Sequence, residues 1–179
     1  LQAAGELFDL KGYRGVSMDA ICLRCSITKP TLYYYFSDKE TLYIQCMVEM
    51  LKGYNEVIGD SRPVMERIER LSARMLERMP HNIDKMMRDM DTIQDESRHE
   101  QIHQAFYKEL FDPVVSLFRE GIEQEALREG DPVFFAWAFL GLVNTFIDRA
   151  PAILGTRQEI SKQLVTLFMS GVGPVSSQP

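Results

Sequence analysis

Hydrophobic residues recur at helical spacing along nearly the whole chain. Met18, Ile21, Cys22 and Cys25 fall at positions i, i+3, i+4 and i+7, which places them on one face of a helix. No stretch of useful length alternates between apolar and polar residues as a half-buried strand would. The pattern therefore predicts an all-α protein whose helices are separated by turn-forming residues.

Three short helices are predicted near the N-terminus. The first covers about residues 1–11, and the second begins after the capping residue Ser17. Thr28 caps the third, and a Ser37-x-x-Glu40 capping box opens a long fourth helix. The second and third helices are joined by only a few residues, which is typical of a helix-turn-helix. In that motif the later helix enters the major groove of DNA.

The third predicted helix carries an unusual run of polar aromatic residues. Residues 28–36 combine a cation, hydroxyl groups and aromatic rings, which suit contacts with phosphates and base edges. A buried aromatic helix is the alternative. We expect Leu32, Tyr35 and Phe36 to pack inward. The residues expected to contact DNA are Thr28, Lys29, Pro30, Thr31, Tyr33, Tyr34 and Lys39.

The charge of the chain is unevenly distributed. Its formal net charge is −6, so no general attraction to nucleic acid is expected. The segment from Lys11 to Lys39 nevertheless contains five cations and two anions, which gives 5 − 2 = +3. A small basic face on an acidic body favours an oriented contact with DNA, and chance clustering is the alternative.

Several spaced segments of this region together form a recognisable pattern. They are Ala3-Ala4-x-x-Leu7-Phe8, Lys11-Gly12-Tyr13, Ser17-Met18-x-x-Ile21, Ile27-Thr28-Lys29-x-Thr31-Leu32-Tyr33-Tyr34-Tyr35-Phe36 and Lys39-Glu40-x-Leu42. This pattern resembles the DNA-binding domain of the TetR family of bacterial transcriptional regulators, and the resemblance covers residues 1 to about 57. Ser26 replaces the glycine usual at the turn in that family, and Cys22 and Cys25 replace small alanines.

The resemblance implies a division into two domains. Residues 1–57 form the helix-turn-helix DNA-binding domain, including part of the fourth helix, and residues 58–179 form a helical ligand-binding and dimerisation domain. The implied function is that of a ligand-responsive repressor, which binds a palindromic operator as a homodimer. A small-molecule carrier that has lost DNA binding is one alternative. With no signal peptide or membrane span recognised in the sequence, we expect the bacterial cytoplasm as its location.

Residues 133–147 form a helix that is apolar nearly all round. This stretch is shorter than the ~20 residues needed to span a bilayer. One side is expected to meet the core and the other a second copy of the chain, with complete burial in one monomer as the alternative. The family resemblance implies an interface built by the last two helices. The candidates are Phe134, Trp137, Leu164 and Phe168.

The middle of the chain is expected to enclose a small apolar effector. A long helix is predicted from about residue 96 to 128, kinked or divided at Pro113. The chain has 10 methionines, whose flexible side chains suit an adaptable apolar pocket, although an ordinary core is the alternative. The candidate walls are Met86, Met87, Met90, Phe106, Leu110, Phe135 and Phe139.

Two further motifs suggest other chemistry. His99-Glu100-x-x-His103 has the form of a zinc-hydrolase motif, but a catalytic zinc needs a third protein ligand and no histidine follows. Cys22-x-x-Cys25 lies within a helix without a partner pair, so two small buried hydrophobes are favoured. We therefore predict no cofactor, no metal site, no catalytic residue and no enzymatic activity. A zinc-dependent hydrolase stays the alternative from a different class.

Overall fold

The structure is a computed structural model that describes residues 1–78, 96–147 and 155–173. Within these ranges the chain is helical and forms no strand, so the all-α prediction is confirmed. The described elements are α1 (Gln2–Gly15), α2 (Met18–Cys25), α3 (Lys29–Tyr35), α4 (Lys39–Lys52), α5 (Asn55–Ile58), α6 (Val64–Arg78), α7 (Glu96–Phe106), a π-helical turn (Tyr107–Phe111), α8 (Asp112–Glu123), α9 (Pro132–Ile147) and α10 (Arg157–Val172).

The connections around α2 follow from local backbone chemistry. Ser17 caps α2 as predicted, because its hydroxyl accepts a hydrogen bond from the Ala20 N–H at 3.1 Å. Ser26 ends α2 in the left-handed region, with φ 54° and ψ 41°. This conformation normally favours glycine, which agrees with the glycine that the family resemblance implies at this turn.

The junction between α3 and α4 differs from its prediction. Thr28 caps α3 and accepts a hydrogen bond from the Thr31 N–H at 3.4 Å. The cap of α4, however, is Asp38, whose carboxylate accepts from the Thr41 N–H at 2.7 Å. The predicted capping box starting at Ser37 is therefore wrong by one residue. A carboxylate is the stronger cap here, because it also complements the positive end of the helix dipole.

The long helix predicted over residues 96–128 is divided near Pro113, but by the π-helical turn that precedes it. Pro113 lies in the first turn of α8 and lacks the N–H that a continuous helix would donate to the carbonyl of Glu109. The wider turn accommodates that missing hydrogen bond. α8 also ends earlier than predicted, at Glu123, and Glu125 then takes a left-handed φ of 58°.

Two hydrophobic clusters fill the described part of the protein. The first joins α1 to α4 and includes Phe8, Ile21, Leu32 and Met47. The second begins at Leu51 and joins the later helices. The change from one cluster to the other thus falls inside α4, near the predicted domain boundary.

The three cysteines are free thiols in the N-terminal region. Cys22 and Cys46 are buried in the first cluster, and Cys25 packs against it. Burial raises the pKa of Cys46 to about 12, so its thiol stays protonated. Cys22 and Cys25 thus occupy the positions expected of small hydrophobic side chains.

Within the described ranges, no helix combines the length and the apolar character needed to cross a membrane. This includes the strongly apolar α9, which has 16 residues.

Candidate nucleic-acid interface

Helix α3 is attached to the protein by one side. Leu32 is buried in the N-terminal cluster, and Phe36, one turn later, packs against the same cluster. Tyr34 and Tyr35 are 83% and 68% exposed, respectively, and Tyr33 is exposed as well. The inward positions predicted for Leu32 and Phe36 are therefore confirmed.

The inward position predicted for Tyr35 is wrong. A helix of 7 residues presents little more than one residue per turn to a neighbouring core, and Leu32 and Phe36 take those places. The Tyr35 ring instead lies edge-on to the Tyr34 ring, with 5.1 Å between their centroids. The exposed surface of α3 therefore carries three phenolic hydroxyl groups rather than two.

The first turn of α3 adds a cation and two hydroxyl groups to this surface. Lys29 is exposed, and its Nζ lies 2.8 Å from a carboxylate oxygen of Asp19 on α2. The hydrogen bond and charge of Asp19 raise the pKa of Lys29, so the ammonium stays charged. The hydroxyls of Thr28 and Thr31 lie 2.9 Å apart, and Pro30 between them is exposed. The predicted α3 residues thus share one solvent-facing surface.

Lys39 has a more structural environment than the sequence suggested. Its ammonium donates to the carbonyls of Tyr13 and Val16 at 2.9 and 3.0 Å, and lies 4.2 Å from the centroid of the Tyr13 ring. Because an ammonium has three N–H groups, one is left for a phosphate. The DNA contact of Lys39 stays a prediction. Burial, together with the nearby carboxylates of Glu40 and Asp38, raises the pKa of Tyr13 to about 12.

These elements coincide with a known DNA-binding module. The family model for bacterial regulatory proteins of the tetR family matches residues 1–46, which include α1 to α3 and the first half of α4. Residues 1–46 therefore form a DNA-binding module of the tetR family type. In a helix-turn-helix the second helix of the pair enters the major groove of DNA, and α3 holds that position here. That its exposed face contacts DNA stays a prediction.

The similarity to known proteins extends beyond the N-terminal module to most of the chain. YhgD of Bacillus subtilis strain 168, described as an uncharacterized HTH-type transcriptional regulator, is 27% identical over 153 residues, or 82% of this chain and 80% of YhgD. The crystal structure of a TetR/AcrR-family regulator from Thermobifida fusca has a TM-score of 0.68 at 25% identity, covering 95% and 94% of the two chains. AibR, solved with isovaleryl coenzyme A and operator DNA, has a TM-score of 0.70 at 23% identity over 92% and 93%. The similarity to AibR shows a shared fold.

The ligand pocket that the TetR resemblance predicts is not defined by the described residues. Leu110, Phe135 and Phe139 are fully buried in the second cluster, and Phe106 packs against it. Met86, Met87 and Met90 lie outside the described residues, so the pocket stays a prediction. A cavity of about 470 Å³ lies elsewhere, between α1, α4 and α6. Its lining contains none of the predicted wall residues.

The predicted dimer interface divides into exposed and buried residues. Phe134 and Trp137 are 66% and 49% exposed on α9. Leu164 and Phe168 on α10 are only 4% and 8% exposed, because they pack into the monomer core. The Phe168 ring lies 5.4 Å from that of Phe139, between centroids. In this structure Leu164 and Phe168 therefore support α10 from within, a correction to their predicted place on the surface.

The outer face of α10 carries a different leucine. Leu167 is 62% exposed and lies one turn from Leu164. The sequence shows both on one apolar stripe, and it does not say which edge of that stripe faces the core. Leu167 joins Phe134 and Trp137 as an exposed apolar residue on the last two helices.

The two histidines of the zinc-hydrolase motif lie on α7. Their spacing places them one turn apart, and the His103 ring packs against Tyr107 with 4.7 Å between ring centroids. Among the described residues, no three His, Cys, Asp or Glu side chains are grouped as metal ligands. The structure thus brings no third ligand from its described parts to this motif.

Proposed function

We propose that the protein is a ligand-responsive transcriptional repressor that binds a palindromic operator as a homodimer. The observation that carries this proposal is the shape of α3. Leu32 anchors the helix in the core, while its cation, threonines and tyrosines face solvent. Residues 1–57 serve as the reading domain, and residues 58–179 serve for dimerisation and ligand binding. We propose a regulator rather than an enzyme, acting in the bacterial cytoplasm where its DNA lies.

Different residues of α3 take different parts in DNA binding. Lys29 and Thr31, in the first turn, reach base edges and distinguish sequence. Tyr33, Tyr34 and Thr28 donate to phosphates and fix the orientation of the helix, together with Lys39 of α4. Tyr35, whose ring is exposed beside Tyr34, extends this phosphate-binding surface.

A two-fold dimer would present two copies of α3 to DNA. Half-sites read by such a dimer lie about one helical turn apart, roughly 34–36 Å, or a multiple of that distance. The exposed Phe134 and Trp137 of α9, with Leu167 of α10, favour a face built by the last two helices. Burial of these exposed apolar rings against a partner removes them from water and so stabilises the dimer.

The effector we propose is a small apolar molecule. To act as a switch it must bind the DNA-incompetent state more tightly, since only differential affinity shifts a conformational equilibrium. AibR binds isovaleryl coenzyme A and operator DNA. This supports testing acyl-coenzyme A compounds, whose acyl chain is apolar and whose coenzyme A part is charged, alongside small apolar molecules.

The DNA-binding proposal is tested by selecting an operator from random duplex DNA with the wild-type protein. In a gel-shift assay, the double variant Lys29→Ala, Tyr34→Phe should lose at least about a hundredfold in affinity, because a base contact and a phosphate contact vanish in each half-site. Lys52→Ala is the matched control, since Lys52 pairs with Glu49 at the far end of α4. Undiminished binding by the double variant would remove the assignment of α3.

The effector is tested by a thermal-shift screen of apolar compounds. A physiological effector should raise the melting temperature and weaken operator binding together, because it stabilises the state that does not fit DNA. A compound that stabilises the protein without weakening operator binding contradicts the switching role for that compound.

A further inference from the structure

Helix α7 belongs to the later part of the chain but is built into the reading domain. Its Ile102 is 1% exposed and is a member of the N-terminal cluster, alongside residues of α1 to α4. A residue of α7 thus fills part of the core on which the recognition helix α3 rests. Any displacement of α7 must disturb that close packing.

One turn before Ile102, Arg98 reaches the start of α4. Its Nη2 and Nη1 donate to the two carboxylate oxygens of Asp38 at 2.8 and 3.2 Å, and Nη1 also donates to Glu40. The Arg98 side chain is 22% exposed, so this forked contact is partly shielded from water. Such bidentate contacts fix orientation as well as supplying energy. Arg98 holds the pKa of Asp38 at about 2, mainly through the hydrogen bond.

Asp38 also links this contact to the recognition helix. The carboxylate that binds Arg98 caps α4 through the Thr41 N–H at 2.7 Å. Phe36 is the last capping residue of α3, so Ser37 alone separates the end of α3 from Asp38. Both ion pairs of Arg98 join the start of α4 to α7, a helix from the later part of the chain.

We propose that Arg98 is a positioning residue that fixes the orientation of α3 relative to the later helices. In the proposed dimer, this orientation sets the separation of the two recognition helices and therefore the preferred spacing of half-sites. The inference rests on the proposed function for its DNA readout. Arg98 need not contact DNA, because it acts through Asp38 and the start of α4.

The DNA test compares Arg98→Met with wild type on the selected operator and on versions lengthened or shortened by one base pair between half-sites. Methionine keeps an unbranched apolar side chain but removes the guanidinium group and its bidentate hydrogen bonds. We expect about tenfold weaker binding to the selected operator. Two recognition helices that are held less rigidly lose more conformational freedom when they bind DNA. The preference for the selected spacing should fall to less than half that of wild type. Sensitivity to base changes within a half-site should persist.

Arg62→Met is the matched control. It makes the same change of charge and breaks the pairs of Arg62 with Asp60 and Glu66, which lie beside α6 away from the reading domain. Its spacing preference should equal that of wild type. Arg98→Lys, which keeps the charge without the fork, should lie between wild type and Arg98→Met. Equal loss of affinity on all spacings by both Arg98 variants would indicate a general loss of folded protein and overturn the proposal.

A second measurement needs no DNA. Amide hydrogen exchange over residues 28–42 should quicken in Arg98→Met and in Arg98→Lys, and stay unchanged in Arg62→Met. Unchanged exchange in both Arg98 variants overturns the positioning role. If wild type retards no DNA but the exchange result holds, the proposed function fails while Arg98 still positions α3. The two failures are thereby distinguishable.

Discussion

Helices α3 and α9 both expose aromatic rings, and the chemistry around those rings differs. On α3, Tyr34 and Tyr35 carry hydroxyl groups and share their surface with a lysine and threonines. On α9, Phe134 and Trp137 stand in a helix that has no charged residue between Pro132 and Ile147. The phenol of a tyrosine can hydrogen-bond to water or to a phosphate while it stays exposed. The phenyl ring of Phe134 and the indole of Trp137 present mostly apolar surface, whose removal from water is favourable. Exposure alone therefore does not identify a partner.

The two helices are also held differently. α3 has 7 residues, too few for stability in isolation, so it depends on Leu32, its caps and the junction with α4. α9 has 16 residues and buries Phe135 and Phe139 in the larger core. Few buried side chains therefore attach the exposed surface of α3 to the core, whereas a larger buried cluster holds the apolar surface of α9 in place.

The largest expected effect comes from placing charge on the apolar surface. Phe134→Glu with Trp137→Glu should raise the dimer dissociation constant at least about a hundredfold, because two aromatic anchors in each protomer become carboxylates, which places four like charges around the two-fold axis. Light scattering should report a monomer at micromolar concentration, and operator binding should fall with it.

Leu10→Glu is the control for that variant. Leu10 is 76% exposed on α1, away from the last two helices. The Leu10 variant should stay dimeric. A dimer that survives the double change on α9 would show that the last two helices do not form the contact.

The next comparison is between a buried and an exposed residue of α3, and the quantity measured is the free energy of unfolding. Leu32→Ala should lower the free energy of unfolding by about 2–5 kcal/mol, because a buried leucine leaves a cavity. Tyr35→Ala should change it by about 0.5 kcal/mol or less, since its ring faces solvent. Urea denaturation of the two variants decides the matter. A large loss for Tyr35→Ala would restore the inward orientation expected from the sequence.

The smallest expected effect is a loss of folding stability in acid that arises from Asp38 at the start of α4. The pKa of Asp38 is lowered to about 2, first by its hydrogen bond with Arg98. A depressed carboxyl pKa stabilises the folded state above the unfolded pKa, and that contribution is lost as the pH falls from about 4 towards 2. The contribution is modest, because Asp38 is 45% exposed and solvent screens the pair.

Urea midpoints between pH 5 and pH 2 should therefore fall less steeply for Asp38→Asn than for wild type. Asparagine can still cap α4, so the comparison isolates the charge. Parallel curves for the two proteins would contradict the role of Asp38 in this acid sensitivity. The uncharged surface of α9 should contribute no such acid dependence to the stability.

Much of the reading domain could be predicted from sequence, because its signals are local. Caps depend on one side chain and the backbone three residues later, so Ser17 and Thr28 were placed correctly. The cap of α4 was missed by one residue, since Ser37 and Asp38 are both good capping residues. Asp38 also binds Arg98, a contact that local spacing does not predict because Arg98 lies 60 positions away.

The faces of α3 and α10 show the same limit. A stripe at helical spacing predicts that a helix has an apolar side, but it does not fix the width of the surface it meets. Tyr35 was expected inside and is exposed, while Leu164 and Phe168 were expected at a surface and are buried. The angle at which each helix packs on its neighbours made these distinctions.

The sequence by itself determined the helical class, the helix-turn-helix and the resemblance to the TetR family, because these depend on short-range spacing and capping. Only the tertiary structure decided that Ile102 completes the reading domain's core, that Lys39 binds two carbonyls, and that Arg98 clasps the start of α4. These contacts join residues far apart in the chain. Close packing and hydrogen-bond geometry select such partners, and both exist only after the helices have assembled.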